Sequence, residues 1–492
     1  MNGCSVPVAG LRRSASEFFE RVRGLLSAEG RLVTFYARPD EAEECVVLTA
    51  VISRAGELEA LQTSVSRAAG FPSLSREFPA FHIFEREIFE AYALRPHDHP
   101  WLKPVRFSGQ RQGAPMEYPF YDVAGKEVHE VGVGPIHAGV IEPGHFRFHC
   151  LGERVVHLEI QLGFQHRGVE ALLLGRPPAT LGPLVETIAG DSSVAHAWAY
   201  CGALEALSGT ELPDRVPLSR GIALELERVA MHLGSLSGLA ADIAFLPGAA
   251  TYGRLRTTAI NTAMLLCGSR LGRGWLRPGA SRAVLTAEAA ATVRQNLALL
   301  ARDVTGINTL FLAARTVQHR LKGVGVVSHA QVAELGFVGM VARSSGVALD
   351  ARSGPRPGAP YAALTPEIVV EPSGDCWARA LLRIREIDVS LHWLQAALEL
   401  WSRSEPPLSG ARALSAVPLR SEQLSVCLCE GWRGEVVHCL ETDAAGALRH
   451  YRVQDPSLRN WFAVALAVRD NEIYDFPICN KSFDLSYAGN DL

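Results

Sequence analysis

GVGPIHAGVIEPGHFRFHCLGERVVHLEIQLGFQHRGVEALL, residues 132–173, is where the chain changes character. HFRFHC (145–150) and RVVHLEIQL (154–162) flank LGE at 151–153, a spacing that predicts a β-hairpin, with a helix expected from about Gln165. Beyond it the apolar period is helical for roughly 230 residues. TLGPLVETIAGDSSVAHAWAYCGALEAL (180–207), SRGIALELERVAMHLGSLSGLA (219–240), RLRTTAINTAMLLCG (254–268), TAEAAATVRQNLALLARDV (286–304) and CWARALLRIREIDVSLHWLQAALELW (376–401) place apolar residues at i, i+3, i+4 and i+7. So many helical segments without intervening strands predict a bundle. Past Pro407 the period switches to two in QLSVCLCEGW, GEVVHCLET, ALRHYRVQD and NWFAVALAVR, which predicts a small terminal β region.

Upstream, ASEFFERVRGLLSAEG reads as a helix, and RLVTFYAR with ECVVLTAVIS as an antiparallel pair beside it. FPAFHIFEREIFEAYALRPHDHPWL reads as a second helix ended by Pro96 and Pro100. Ser108 to Val131 is rich in Gly, Pro and polar residues, as a linker is. The expected fold class is α+β: a small N-terminal α+β domain (1–110), a linker (111–131), and a helical bundle with an N-terminal β-hairpin and a small C-terminal β region (132–492).

The composition of the 492-residue chain narrows its function. Hydrophobic content of 48% and charged content of 20% are ordinary for a globular protein, and a net charge of -4 argues against a nucleic-acid partner. No uncharged apolar run reaches the length of a spanning helix, and the first residues lack the apolar core of a secretion signal. Ten cysteines are present, yet none forms a Cys-x-x-Cys pair. Local spacing therefore offers no iron–sulfur or zinc frame, and buried reduced thiols in a cytoplasmic protein are expected. GVGVV at 323–327 lacks the third glycine of a dinucleotide loop and reads as a turn.

A resemblance covers most of the chain. GPIHAGVIEPGHFRF, GFQHRGVEALL, ELERVAMHLGSL, GFVGMVARSSGVALDAR, EPSGDCWARALLRIREI, EGWRGEVVHCL and DFPICNKSFDLSYAGNDL, in that order, resemble the large subunit of energy-converting nickel–iron hydrogenases and the 49 kDa-type subunit of complex I (NADH:quinone oxidoreductase). FEREIFEAYALRPHDHPWL resembles the 30 kDa-type complex I subunit, which is fused ahead of the large subunit in formate hydrogenlyase. In the hydrogenase relatives two Cys-x-x-Cys pairs hold nickel and iron. The matching positions here are Ala189 and Ser192, then Ser486 and Gly489, so all four thiols are missing. Such a centre needs soft anionic thiolates, and neither nickel, iron nor hydrogenase activity is expected.

The resemblance also implies a site. Glu142 matches the glutamate that passes protons in relatives, and Arg433 the arginine that overhangs the metal. His145, Arg147, His166, Arg167, Asp191, His196, Arg343 and Asp350 lie in matching blocks and are expected around one polar cleft. By flanking sequence, the quinone-binding tyrosine of complex I falls near Gly190 and its histidine near Pro143. His137 or His145 could reach the same space, and Tyr487 is a further headgroup donor.

Two functional readings follow. In the first, the chain is a peripheral-arm oxidoreductase subunit that clamps an iron–sulfur small subunit, in which a 4Fe–4S cluster is expected, and stands on antiporter-like membrane subunits. It would lie on the cytoplasmic face of the plasma membrane, and electrons would reach a quinone or another small acceptor, coupled to ion translocation through a loop at Gly134 to Gly144. In the second, it is a scaffold that keeps the fold without a redox reaction.

Overall fold

The computed structural model describes residues 4–41, 44–107, 118–137, 141–283, 285–353, 360–403 and 418–492. The chain opens with a four-residue strand, β1 (Cys4–Pro7), which pairs with a strand more than 400 residues away. Helix α1 (Ala15–Ser27) follows, started by a capping box in which Ser14 and Glu17 satisfy each other's backbone N–H groups. Strands β2 (Arg31–Pro39), β3 (Cys45–Arg54) and β4 (Glu57–Ser66) make an antiparallel sheet in sequence order, one strand more than the expected pair. Helix α2 (His82–Tyr92) ends where Ala93 turns left-handed, ahead of the two prolines.

β2 and β3 are buried on both faces, which is why neither alternates in sequence. One face packs Phe35 against Phe18, Phe71 and Phe81. The other sets Val33, Tyr36 and Val51 against Leu424, Val426 and Val437 of the C-terminal sheet. The expected linker falls partly on residues 108–117, outside the described ones. Its last residues are a strand, β5 (Val128–Val133), which pairs with β6 (His145–Leu151) and through it with β7 (Arg154–Gln161). The expected hairpin is therefore the inner part of a three-stranded sheet. The following helix, α3 (Val169–Leu174), begins four residues later than expected, after Gly168 in the left-handed region.

The expected helix over 180–207 is broken. A single turn at Gly182–Val185 gives way to a non-helical stretch, and α4 (Ser193–Ser208) starts after Ser192. α4 is buried nearly all round, between α5 (Arg215–Asp242) and the C-terminal sheet. α6 (Leu246–Cys267), α7 (Ala287–Ala313) and α8 (Cys376–Arg403) complete the long helices of the bundle. Among the described residues no single helix is long and apolar enough to cross a membrane.

The C-terminal sheet contains β8 (Gln423–Glu430), β9 (Glu435–Thr442) and β10 (Leu448–Gln454), in the order β1-β8-β9-β10. NWFAVALAVR, expected as a strand, lies in helix α9 (Pro456–Ala467) and the turn after it. The unbroken apolar run masks its period, whereas Asp455 at the N-cap and Pro456 at N1 are helix-start signals. Helix α10 (Phe476–Phe483) and α11 (Tyr487–Asp491) carry the tail into the junction of the β5–β7 sheet, the bundle and the C-terminal sheet.

Candidate functional site

Each of the two frames expected to match a Cys-x-x-Cys pair opens a helix. Ser192 precedes α4 and donates its N–H to the Ala189 carbonyl at 2.9 Å, while Ser486 caps α11 by accepting from Gly489 N–H at 2.8 Å. Arg433 joins the two frames. Its guanidinium forks onto both oxygens of Asp191 at 2.6 Å, reaches the Ser192 hydroxyl at 3.4 Å, and donates to the Asp484 carbonyl just before the second frame. The guanidinium also stacks on Trp432 at 3.9 Å, whose indole N–H holds the Asp191 carbonyl at 2.9 Å. The fork is bidentate and oriented, a job lysine cannot do.

Glu142 approaches from the β5–β7 side, accepting the Tyr487 backbone N–H at 3.2 Å. Burial, with the Asp191 charge, raises its pKa, against the opposing pull of the Tyr487 N–H and Arg433. That places a carboxyl closer to neutrality opposite a fixed ion pair. Neighbouring Gly144 permits the approach, because a Cβ there would stand 2.5 Å from the Tyr487 ring. Tyr487 is buried, its phenol pushed up to about 12. The His137 ring lies 6.5 Å from it, and His137 Nε2 is a buried polar atom without a hydrogen-bond partner.

Below this layer runs a fully buried relay that sequence reading found only at His196. Asp455 caps α9 and accepts from His196 Nε2 at 3.1 Å. His196 Nδ1 meets His438 Nε2 at 3.1 Å, and His438 Nδ1 meets the Tyr451 hydroxyl at 2.8 Å. Burial holds His438 well below its ordinary pKa, hence neutral. The roles of the two imidazoles follow from the tautomer each takes, while an ionised Asp455 only accepts, from His196 Nε2. Glu227, also missed, accepts the Val194 and Ala195 N–H groups at the start of α4 at 2.7 and 3.2 Å, and burial lifts its carboxyl to about 8.

Other expected site residues lie apart. Arg147 pairs outward with Glu130 and stacks on Phe120 at 5.1 Å. His145 is buried against Phe120 with Nδ1 3.0 Å from the Gly134 carbonyl. His166 is exposed, bonded to the Asp491 carbonyl at 2.8 Å. Arg167 ties the first frame to the chain end, through the Thr187 and Ile188 carbonyls and, by its own N–H, that of Leu492. Arg343 and Asp350 belong to a separate buried network with Glu386, Glu430, Arg352 and Glu225. It braces the turn before Arg433, since Arg228 of the same network donates to the Glu430 and Gly431 carbonyls. The loop expected to move includes residues 138–140, outside the described ones.

A nickel–iron centre does not fit these side chains. None of the four frame positions carries a thiol, and a Cβ at Gly489 would stand 2.5 Å from Cγ of the Asp455 carboxyl. Among the described residues no three His, Cys, Asp or Glu side chains gather as metal ligands.

The two four-residue frames carry a methyl, two hydroxyls and a glycine at their outer positions. The chain belongs to the family described as "Respiratory-chain NADH dehydrogenase, 49 Kd subunit", which matches residues 242–491. It is 28% identical over 446 residues to formate hydrogenlyase subunit 5 of Escherichia coli K12, covering 86% of this chain and 77% of that one. It is 27% identical over 487 residues to hydrogenase-4 component G of the same organism, covering 94% and 81%. The carbon monoxide-induced hydrogenase of Rhodospirillum rubrum is 29% identical over 355 residues, covering 72% of this chain and 96% of that one. In fold, 76% of the chain superposes on all of a chain of the membrane-bound sulfane sulfur reductase, an archaeal respiratory membrane complex, with a TM-score of 0.69 at 24% identity.

Proposed function

We propose that this chain is the peripheral-arm large subunit of a membrane-bound oxidoreductase related to complex I and the energy-converting hydrogenases. It packs against an iron–sulfur small subunit, whose cluster supplies electrons, and stands on antiporter-like membrane subunits at the cytoplasmic face of the plasma membrane. At the cleft the electrons reach a quinone or another small acceptor, and the protons taken up there are coupled to ion translocation. The names of the relatives support membership of such a complex, and the site supports a role without nickel or iron.

The observation that carries this reading is the placing of Glu142 opposite the Arg433–Asp191 pair, with the Asp455–His196 relay beneath. A carboxyl raised by burial can deliver a proton to a reduced acceptor, and the fixed guanidinium steadies negative charge that develops there. The Tyr487 hydroxyl is a donor suited to a quinone carbonyl, whereas His137, whose Nδ1–H is taken by the Pro135 carbonyl, offers Nε2 as an acceptor to a quinol hydroxyl. Tagged protein purified from its native membranes tests the reading. Iron–sulfur and antiporter-like subunits should copurify, with iron present and nickel far below one per chain. Recovery of the chain alone, or stoichiometric nickel with dye-linked hydrogen uptake, would overturn it.

A further inference from the structure

Two cysteines far apart in sequence meet beneath an exposed turn. Cys376 is the first residue of α8, and Cys479 lies in α10, five residues before the Asp484 carbonyl that holds Arg433. Both sulfurs face the same point, the place of a Cβ on Gly325, at 2.6 Å for Cys479 and 3.4 Å for Cys376. Arg379, one helical turn along α8, donates to Cys376 Sγ at 3.4 Å, to the Gly325 carbonyl at 2.8 Å and to the Ser482 hydroxyl of α10 at 2.8 Å. The covering layer is the turn around Gly325, whose left-handed backbone carries no side chain.

We propose that Cys376 and Cys479 form a redox-active dithiol, with Cys376 as the attacking thiol and Cys479 as the resolving one, oxidised to a disulfide by hydrogen peroxide. The inference does not depend on the function proposed above. Two features make Cys376 the nucleophile: the N-terminus of a 28-residue helix and the Arg379 charge. Burial alone would raise its pKa. Its neighbour Cys479 and the Arg379 charge outweigh burial and lower the Cys376 pKa, while Cys376 in turn pushes Cys479 up. Burial in other surroundings pushes Cys201, Cys429 and Cys439 up instead, leaving them inert.

The chemistry balances in two steps. The Cys376 thiolate attacks one peroxide oxygen and the O–O bond breaks; with one proton taken up, the products are a sulfenic acid and water. Cys479 sulfur then attacks Cys376 sulfur, and the departing hydroxide takes the Cys479 proton as a second water. Overall, two thiols and one peroxide give a disulfide and two waters. The new bond fastens α10, and with it the start of the tail, to the first turn of α8.

The test uses the reduced full-length chain, treated with equimolar peroxide, alkylated, digested and read by mass spectrometry. A Cys376–Cys479 cross-linked peptide is expected, with the other cysteines alkylated. In Cys479→Ser, Cys376 should accumulate as a sulfenic acid trapped by dimedone. Oxidation of Cys376 should be several-fold slower at pH 5 than at pH 7, following its thiolate fraction. Oxidation of Cys376 no faster than of Cys427 or Cys439, or a disulfide forming first between other cysteines, would overturn the proposal. Should Cys479→Ser fail to fold, the cross-linked peptide mapped in the parent chain decides alone.

Discussion

The Asp455 carboxyl stands beside Gly489 in the space that a side chain at that position would need, with Cγ 2.5 Å from the place of a Cβ. Substitution at one of these residues is therefore felt at the other. Gly489→Ala should destabilise the chain by about 1–3 kcal/mol, the usual cost of forcing a carbon into a filled site. Asp455→Ser should relieve part of that loss when combined with it. Urea denaturation of both single variants and the double variant checks this, and strict additivity would show that the two residues do not compete for space.

Glu142→Gln separates proton handling from assembly. The amide keeps the shape and can still accept the Tyr487 N–H, but it has no proton to give at neutral pH. Complex yield should be unchanged, while electron transfer falls by roughly 10²- to 10⁴-fold. Both are measured in the same strain. Normal yield with full activity would remove Glu142 from the mechanism, and reduced yield would favour the scaffold reading.

Glu227 should give the fold a pH signature. Its carboxyl titrates at about 8 in the folded chain against 4.5 as a free side chain, so between those values the folded state holds a proton that the unfolded state has released. The stabilisation is complete below pH 4.5 and is lost as pH rises towards 8. Glu227→Gln cannot ionise and should flatten this decline. Urea midpoints taken between pH 5 and 8 would show it, and parallel curves for both proteins would contradict the assignment.

The two sheets are clamped by Arg38 of β2 and Glu441 of β9, 2.6 Å apart and both buried, with Gln62 on the same carboxylate at 2.9 Å. Removing one partner of a buried pair typically costs about 3–5 kcal/mol. Arg38→Ala should fall at the lower end, because Gln62 and Arg449 remain near Glu441. Limited proteolysis should then release fragments from the first hundred or so residues before the bundle is cut. A variant as resistant as the parent would contradict the clamp.

What could be read beforehand followed the regularity of the pattern. The β6–β7 hairpin is bounded by a clear turn, and α5 and α8 keep their apolar period over many turns. Glu142 and Arg433 were reached through the motifs around them, and the structure brings them towards the same pair of frames. Asp455 was hidden because the run after it is apolar on every side, so a strand and a buried helix look alike. Glu227 looks like any glutamate on a helix; its raised pKa comes from complete burial, only partly offset by two backbone N–H groups of α4, and sequence spacing reveals neither. The four residues of β1 are too few to carry a period at all.

That first strand has a bearing on how the molecule is made. β1 pairs with β8, and Arg31 bonds to Glu435 across 404 positions, so the beginning of the chain finds its place only against its end. During synthesis β2, β3 and β4 can zip together early, because their pairing is local. The outer face of that sheet, with Val33, Tyr36 and Val51, then stays uncovered until β8 and β9 have left the ribosome. Contacts this distant close slowly. Until β8 and β9 are made the nascent chain therefore displays an apolar β surface, a point at which folding is open to misassociation.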